Sequence, residues 1–315
     1  MGLCWRQMTI SSEGRKELIF AAKFSVYSNS ILLVLKLIVG LLTLSISVIS
    51  EAIHSGTDLL AALIANYSVR KSTRPADDGH SFGHGKYESL SGAAEALLIF
   101  VAAIIIIYEA TEKLLRHQEV LLVDAGIAVM AISAVMNFLI SRYLARIAKK
   151  HKSLALEADA LHLRTDVWTS IGVFAGLVAV RFTGIHEIDP IVAIIVAVVI
   201  INAAIRLTRK STFELLDHSL TAEEEAAVHE TIKIVTGEAG AYHGLRTRRS
   251  GRDSFIDFHL VLPKGLAIEK AHRICDEIEQ KIMDRLPNSN LTIHVEPCNG
   301  ECDNCQSLAI CDIQK

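Results

Sequence analysis

His54-Ser-Gly-Thr-Asp58 and His162-Leu-Arg-Thr-Asp166 each set an imidazole and a carboxylate four residues apart. On a helix that spacing stacks both side chains on one face. Each pair lies inside an apolar stretch long enough to cross a bilayer, where ionisable groups are costly and mark ion or proton paths. Together two His and two Asp offer the donors of a tetrahedral divalent-metal shell. The mixture suits Zn2+ and is open to Cd2+, Fe2+, Co2+ or Mn2+. Metal needs these ligands deprotonated, so metal and protons compete for one site, and imidazole titrates near neutral pH. Carrying a metal fits better than catalysis with it. The sequence has no HExxH motif, and four protein ligands leave no position for a catalytic water. No enzyme and no organic cofactor are expected. The rival reading is a membrane metal sensor or receptor with static sites.

Six segments can position these pairs: Ile19–Thr43, Ile46–Val69, Leu90–Leu115, Val120–Ile147, Leu154–Phe182 and Ile188–Leu207. Each holds the run of mostly apolar residues that a spanning helix needs. Composition agrees, with 315 residues, 51% of them hydrophobic, and a mean hydropathy of +0.36. Leu44 and Ser45 leave room only for a tight turn between the first two spans. Lys and Arg gather at one set of span ends, at Arg15, Lys16, Arg70, Lys71, Arg74, Arg146, Lys149, Lys150, Lys152, Arg206, Arg209 and Lys210. That asymmetry predicts cytoplasmic termini. No cleavable signal peptide is visible before Lys16. The formal net charge of −3 gives no sign of nucleic-acid binding.

The predicted domains are a cytoplasmic N-terminal segment (1–18), a six-helix transmembrane domain (19–210), a cytoplasmic α+β domain (211–297) and a cysteine-rich tail (298–315). In the third, Thr221-Ala-Glu-Glu224 is a capping box opening a helix that ends near Gly237. Leu245–Arg249 and Ser254–Leu262 read as a hairpin, with Ile256, Phe258, Leu260 and Leu262 on one face and Asp257 and His259 on the other. An amphipathic helix over Ile268–Leu286 and a strand over Leu291–Glu296 complete an αββαβ order. A domain this small gains from dimerisation.

Three further features hold potential ligands or unusual charge. Asp77, His80 and His84 carry donors at short spacing between spans two and three. In the tail, Cys298, Cys302, Cys305 and Cys311 suggest a thiolate metal site in a reducing compartment. Lys36 and Glu95 are charges within spans one and three; snorkelling accounts for both, and neither receives a role.

With these elements in place the chain resembles the cation diffusion facilitator family, especially its bacterial zinc and ferrous-iron efflux pumps. The likeness runs from about Lys16 to Cys298. Its most specific pieces are Pro75-Ala-Asp-Asp-Gly-His-Ser-Phe-Gly-His-Gly-Lys86, Leu245-Arg-Thr-Arg-Arg-Ser-Gly251 and Ile293-His-Val-Glu-Pro-Cys298. The resemblance implies a homodimer in the bacterial inner membrane that exchanges divalent metal for protons. It also implies a ferredoxin-like, metallochaperone-like cytoplasmic domain. By the same resemblance Asp77, His80 and His84 bind a second ion. His243, His259, His272, His294 and Glu296 form a regulatory metal site at the dimer interface, and Lys86 and Asp217 interlock as an ion pair. The related pumps often have Asp where this chain has His54, a departure that favours zinc.

Overall fold

The computed structural model describes residues 12–43, 46–116, 124–183, 185, 187–237 and 241–298. The turn expected at Leu44 and Ser45, and the tail residues Cys302, Cys305 and Cys311, lie outside them. The chain divides into two compact units, Met1–Phe213 and Glu214–Lys315.

The first unit is built from six long helices: α1 Ser12–Thr43, α2 Ile46–Ser72, α3 Lys86–Arg116, α4 Asp124–His151, α5 Leu154–Thr183 and α6 Ile188–Leu215. Of the chain's five prolines only Pro190 falls in these helices. It occupies the first turn of α6, where its missing N–H costs nothing. α1, α2, α3 and α6 outrun the apolar segments expected from sequence because their charged end turns stay helical. Among the described residues, α1, α3, α4 and α6 are long and apolar enough to cross a membrane; α2 and α5, which carry the His/Asp pairs, fall short of that standard.

Packing makes α5 the hub. One cluster joins Leu18, Ala21 and Ala22 of α1 with Ile140, Leu144 and Ile147 of α4 and Ala155, Leu156 and Leu163 of α5. On another side, Ala96, Ile99 and Ala103 of α3 meet Leu154 and Ala158 of α5 and Ile200, Ala204 and Leu207 of α6. Alanine recurs because a small side chain lets helix backbones approach. Gly92 carries this further: a methyl there would stand 2.7 Å from Ser211 Oγ and 3.2 Å from Leu154 Cγ. At the end of the bundle bearing the loop after α2, Glu17 of α1 accepts from Lys150 Nζ at 2.7 Å and meets His151 Nε2 at 2.8 Å, both on α4. Ile31, Leu42, Leu60, Leu97, Phe174 and Val199 face outward, an apolar surface suited to lipid.

Burial corrects the snorkelling expectation. Lys36 is only 5% exposed and Glu95 fully buried, so neither charge reaches towards an interface. Lys36 Nζ instead donates to Ser55 Oγ at 2.7 Å.

The second unit is a three-stranded sheet with two helices: α7 Ala222–Thr236, β1 Ala241–Ser250, β2 Asp253–Leu262, α8 Ile268–Arg285 and β3 Ser289–Pro297. Thr221 and Glu224 form the expected capping box, and Gly237, at φ 74°, ends α7. β2 is central, antiparallel to β1 and parallel to β3. Ile256, Phe258, Leu260 and Leu262 point to one face of β2 and pack with Val228 and Ile232 of α7 and Cys275, Ile278 and Ile282 of α8. Alternation along the strand therefore sends His259 to the other face.

Candidate metal centres

The α2–α5 seam brings the two His/Asp pairs together. His54 and Asp58 are one helical turn apart on α2, with Nε2 and Oδ1 3.9 Å apart. Across the seam His54 Nε2 lies 3.7 Å from Asp166 Oδ1, and His162 Nε2 lies 3.2 Å from Asp58 Oδ1. Tetrahedral Zn2+ with bonds of about 2.0–2.2 Å holds its donor atoms roughly 3.3–3.6 Å apart. The donors of His54, Asp58 and Asp166 fall within 4.8 Å of one another; His162 joins them through Asp58. Asp58 and His162 are buried, and Asp166 Oδ2 and His162 Nδ1 are buried atoms with no hydrogen-bond partner. Buried polar atoms left this way point to a further ligand. Each pair also carries a threonine just before its Asp. Thr57 Oγ1 donates to His54 O at 2.6 Å and Thr165 Oγ1 to His162 O at 2.7 Å, so both hydroxyls are satisfied locally.

The loop after α2 folds around a second donor set. Asp77 Oδ1 accepts from the backbone N–H of Gly79 at 3.1 Å and of His80 at 2.8 Å, an Asx turn. The turn swings His80 Nδ1 to 3.3 Å from Asp77 Oδ1, and His84 Nε2 lies 3.3 Å from Asp77 Oδ2. Burial pushes the Asp77 carboxyl up, but the His80 N–H and the His80 and His84 rings outweigh it and hold the carboxyl below its ordinary value. His84 is buried, with its Nδ1 unpartnered.

In the second unit the sheet register aligns three imidazoles: His243 of β1 pairs with His259 of β2, which pairs with His294 of β3. Neighbouring rings lie 4.9 Å apart at both steps. Glu296 spans the row, 2.6 Å from His259 Nδ1, 3.1 Å from His243 Nε2 and 3.7 Å from His294 Nε2. His259 and then His243 hold its carboxyl below the ordinary value. Gly244, at φ 65° beside an irregularity in β1, leaves room for the His259 ring, whose Cδ2 would stand 3.3 Å from any added Cβ. His272 stands apart on α8, 3.7 Å from Asp276.

Asp217 accepts from Arg248 Nη1 at 3.1 Å within the second unit, and Lys86 opens α3 in the first. Cys298 N donates to Leu262 O at 2.8 Å, extending the β2–β3 pairing by one residue. Burial pushes the Cys275 thiol up to about 11 and makes it a core residue.

Comparison with known proteins follows this layout. The model of the cation efflux transmembrane domain matches residues 22–216, and that of the cation efflux protein cytoplasmic domain matches residues 220–298. The chain belongs to the cation diffusion facilitator family. An uncharacterized transporter of Synechocystis sp., sll1263, is 34% identical over 263 residues, covering 84% of this chain and 85% of that protein. The cation-efflux pump FieF of Cronobacter sakazakii is 32% identical over 270 residues, covering 86% and 89%. FieF of Serratia proteamaculans is likewise 32% identical with the same coverage. Among solved structures, one of CzrB is 40% identical over 25% of this chain and 96% of that chain, with a TM-score of 0.24. Membership makes the protein a cation efflux transporter of the membrane, in a family of transporters rather than enzymes.

Two buried groups of this family member were not anticipated from sequence. Glu88 on α3 accepts from Ser72 Oγ at 2.6 Å and Ser153 Oγ at 2.5 Å, joining the loop ends of α2, α3 and α5. Asp159, on α5, is fully buried with both carboxyl oxygens unpartnered. Its place one turn before His162, on the face of the ligand pair, was the signal available in the sequence.

Proposed function

We propose that the protein exports a divalent transition metal, Zn2+ before Cd2+, Fe2+, Co2+ or Mn2+, in exchange for protons. The observation that carries the reading is the α2–α5 seam, where two imidazoles and two carboxylates face each other at 3.2–3.9 Å. Two nitrogens beside two oxygens favour zinc over harder ions. Binding requires that His and Asp shed their protons, and protons returning from the other side expel the ion. Antiport by alternating access follows from one site serving both cargoes.

The working unit in this proposal is a homodimer in the bacterial inner membrane, lipid around six crossings and both termini cytoplasmic. Asp77, His80 and His84 take a second ion. The His243–His259–His294 row with Glu296, and His272 in the assembled dimer, take a regulatory ion that favours association of the cytoplasmic domains. Lys86 and Asp217 tie the two units together, and the tail cysteines Cys298, Cys302, Cys305 and Cys311 hold metal as thiolates.

The test is metal uptake into sealed proteoliposomes under an imposed pH gradient, with Zn2+, Cd2+, Fe2+ and Mn2+ compared. Zinc flux that collapses with the gradient supports antiport. Binding without flux would make the protein a sensor instead.

A further inference from the structure

The transport seam does not account for every buried charge in the bundle. Glu95 of α3 and Asp159 of α5 are both fully buried, and their sequence neighbours Ala96 and Ala158 pack in one cluster. The two carboxyls lie within Coulombic reach of each other. Glu95 Oε2 and both Asp159 oxygens have no hydrogen-bond partner, so three of the four oxygens are orphaned. Ser91 Oγ donates to the remaining one, Glu95 Oε1, at 3.1 Å. The Ser25 side chain of α1 faces Asp159 without reaching hydrogen-bond geometry. Among the described residues no Lys, Arg or His closes an ion pair with either acid.

Asp159 also faces the transport seam. His162 and Asp166 on its own helix and Asp58 on α2 are its other charged neighbours. One helical turn, about 5 Å along the axis, separates it from His162. On α3, Glu88, Ser91 and Glu95 recur at helical spacing and form a buried polar stripe leading to the loop end of the bundle. A carboxylate in a dry interior with no cation beside it is costly to keep ionised, and its orphaned oxygens are places where a proton can be held.

We propose that Asp159 and Glu95 form a carboxyl relay carrying protons between the transport seam and the loop end of the bundle. The proposal rests on the proton-antiport reading. When metal displaces a proton from the His162–Asp58 pair, an Asp159 oxygen accepts it and hands a proton to Glu95, which releases one towards Ser91 and the loop end. Each transfer breaks one bond to hydrogen and forms another. No electrons move between groups.

The experiment uses full-length protein in proteoliposomes with a zinc indicator and a trapped pH dye. Wild type is compared with Glu95→Gln, Asp159→Asn and the acid-retaining swaps Glu95→Asp and Asp159→Glu. The amides should cut zinc turnover at least tenfold and shift its pH profile while leaving KM and equilibrium zinc affinity within twofold. The acid swaps should recover most of the turnover and the wild-type pH profile. Wild-type turnover and pH profile in both amides, with proton counterflow intact, would overturn the relay and leave antiport standing. Amides and acid swaps equally impaired, with lowered Tm and zinc affinity, would also overturn it by showing a structural role. No proton counterflow in wild type would overturn antiport and the relay together.

Discussion

Ser153 Oγ on the threshold of α5 donates to Glu88 Oε2 at 2.5 Å, and the same hydroxyl faces the Leu156 N–H at 3.4 Å in the first turn of α5. One serine thus both caps the helix that carries His162 and Asp166 and fastens it to α3. Ser72, at the end of the helix that carries His54 and Asp58, holds the other Glu88 oxygen. Both helices that carry the His/Asp pairs therefore terminate on a single carboxyl.

Removing that carboxyl strands the buried Ser153 hydroxyl, a loss of about 1–3 kcal/mol, while Ser72 Oγ keeps Val69 O at 3.2 Å. Glu88→Ala should lower Tm clearly in detergent and slow zinc flux. Ser153→Ala should cost less, about 0.5–2 kcal/mol, with the cap included. Because the residues share one network, the double variant should be less destabilised than the sum of the singles. Strict additivity in thermal melts would show that the bonds are independent.

Asp58→Ala and Asp166→Ala should abolish zinc flux while leaving a folded protein, since each removes a charged donor from the seam. His54→Asp should preserve transport and broaden metal choice towards Fe2+ and Mn2+, because a hard oxygen replaces a nitrogen. Competition of the four metals for flux in one preparation checks both. Near-normal zinc flux in either alanine variant would remove the seam as the transport site.

Glu296 gives the second unit a pH signature. Its carboxyl is held below the ordinary value by His259 and His243, so the folded state binds the proton less well than the unfolded chain. The resulting stability is fully present above the ordinary carboxylate pKa and is lost as pH falls through the depressed folded value. Glu296→Gln should flatten that acid limb in denaturant titrations of a 214–298 segment. With zinc added, His259→Ala and His294→Ala together should weaken binding by calorimetry while full-length protein keeps flux at saturating metal. An acid limb unchanged by Glu296→Gln would assign the effect elsewhere.

A chain ending at Pro297 lacks Cys298, Cys302, Cys305 and Cys311. If these thiols hold metal, the full chain should retain about one more zinc than the shortened one, release protons on binding and lose the difference at low pH. Flux should survive the truncation. Equal metal content, measured anaerobically with reductant and with iron supplied as well, would empty the tail of this role.

Legibility in the sequence followed the range of each interaction. The His54–Asp58 and His162–Asp166 pairs could be read because residue type and helical spacing are local. So could the Thr221–Glu224 box and the alternation of Ile256, Phe258, Leu260 and Leu262. Alignment of His243, His259 and His294 depends on two strand registers and became visible only with the sheet. The family resemblance placed His272 in that set; in the chain it lies on α8, 3.7 Å from Asp276. Glu88 eluded sequence reasoning because Ser153 is distant along the chain, and serines at helix ends are unremarkable. Lys36 and Glu95 were visible as oddities, but whether a long side chain reaches water or a buried partner is decided by neighbouring helices.

The uneven hydropathy of the helices bears on how the protein is made. If α2 and α5 cross the bilayer as proposed, their ionisable residues each cost a few kcal/mol at the centre of a lone inserting helix. Each has an apolar antiparallel neighbour just before it in the chain, α1 for α2 and α4 for α5. The helices that carry the two His/Asp pairs would then depend for their own membrane integration on being delivered as the second arm of a hairpin. A lesion in α1 or α4 far from any metal ligand would then act at biogenesis, lowering the amount of pump rather than its turnover.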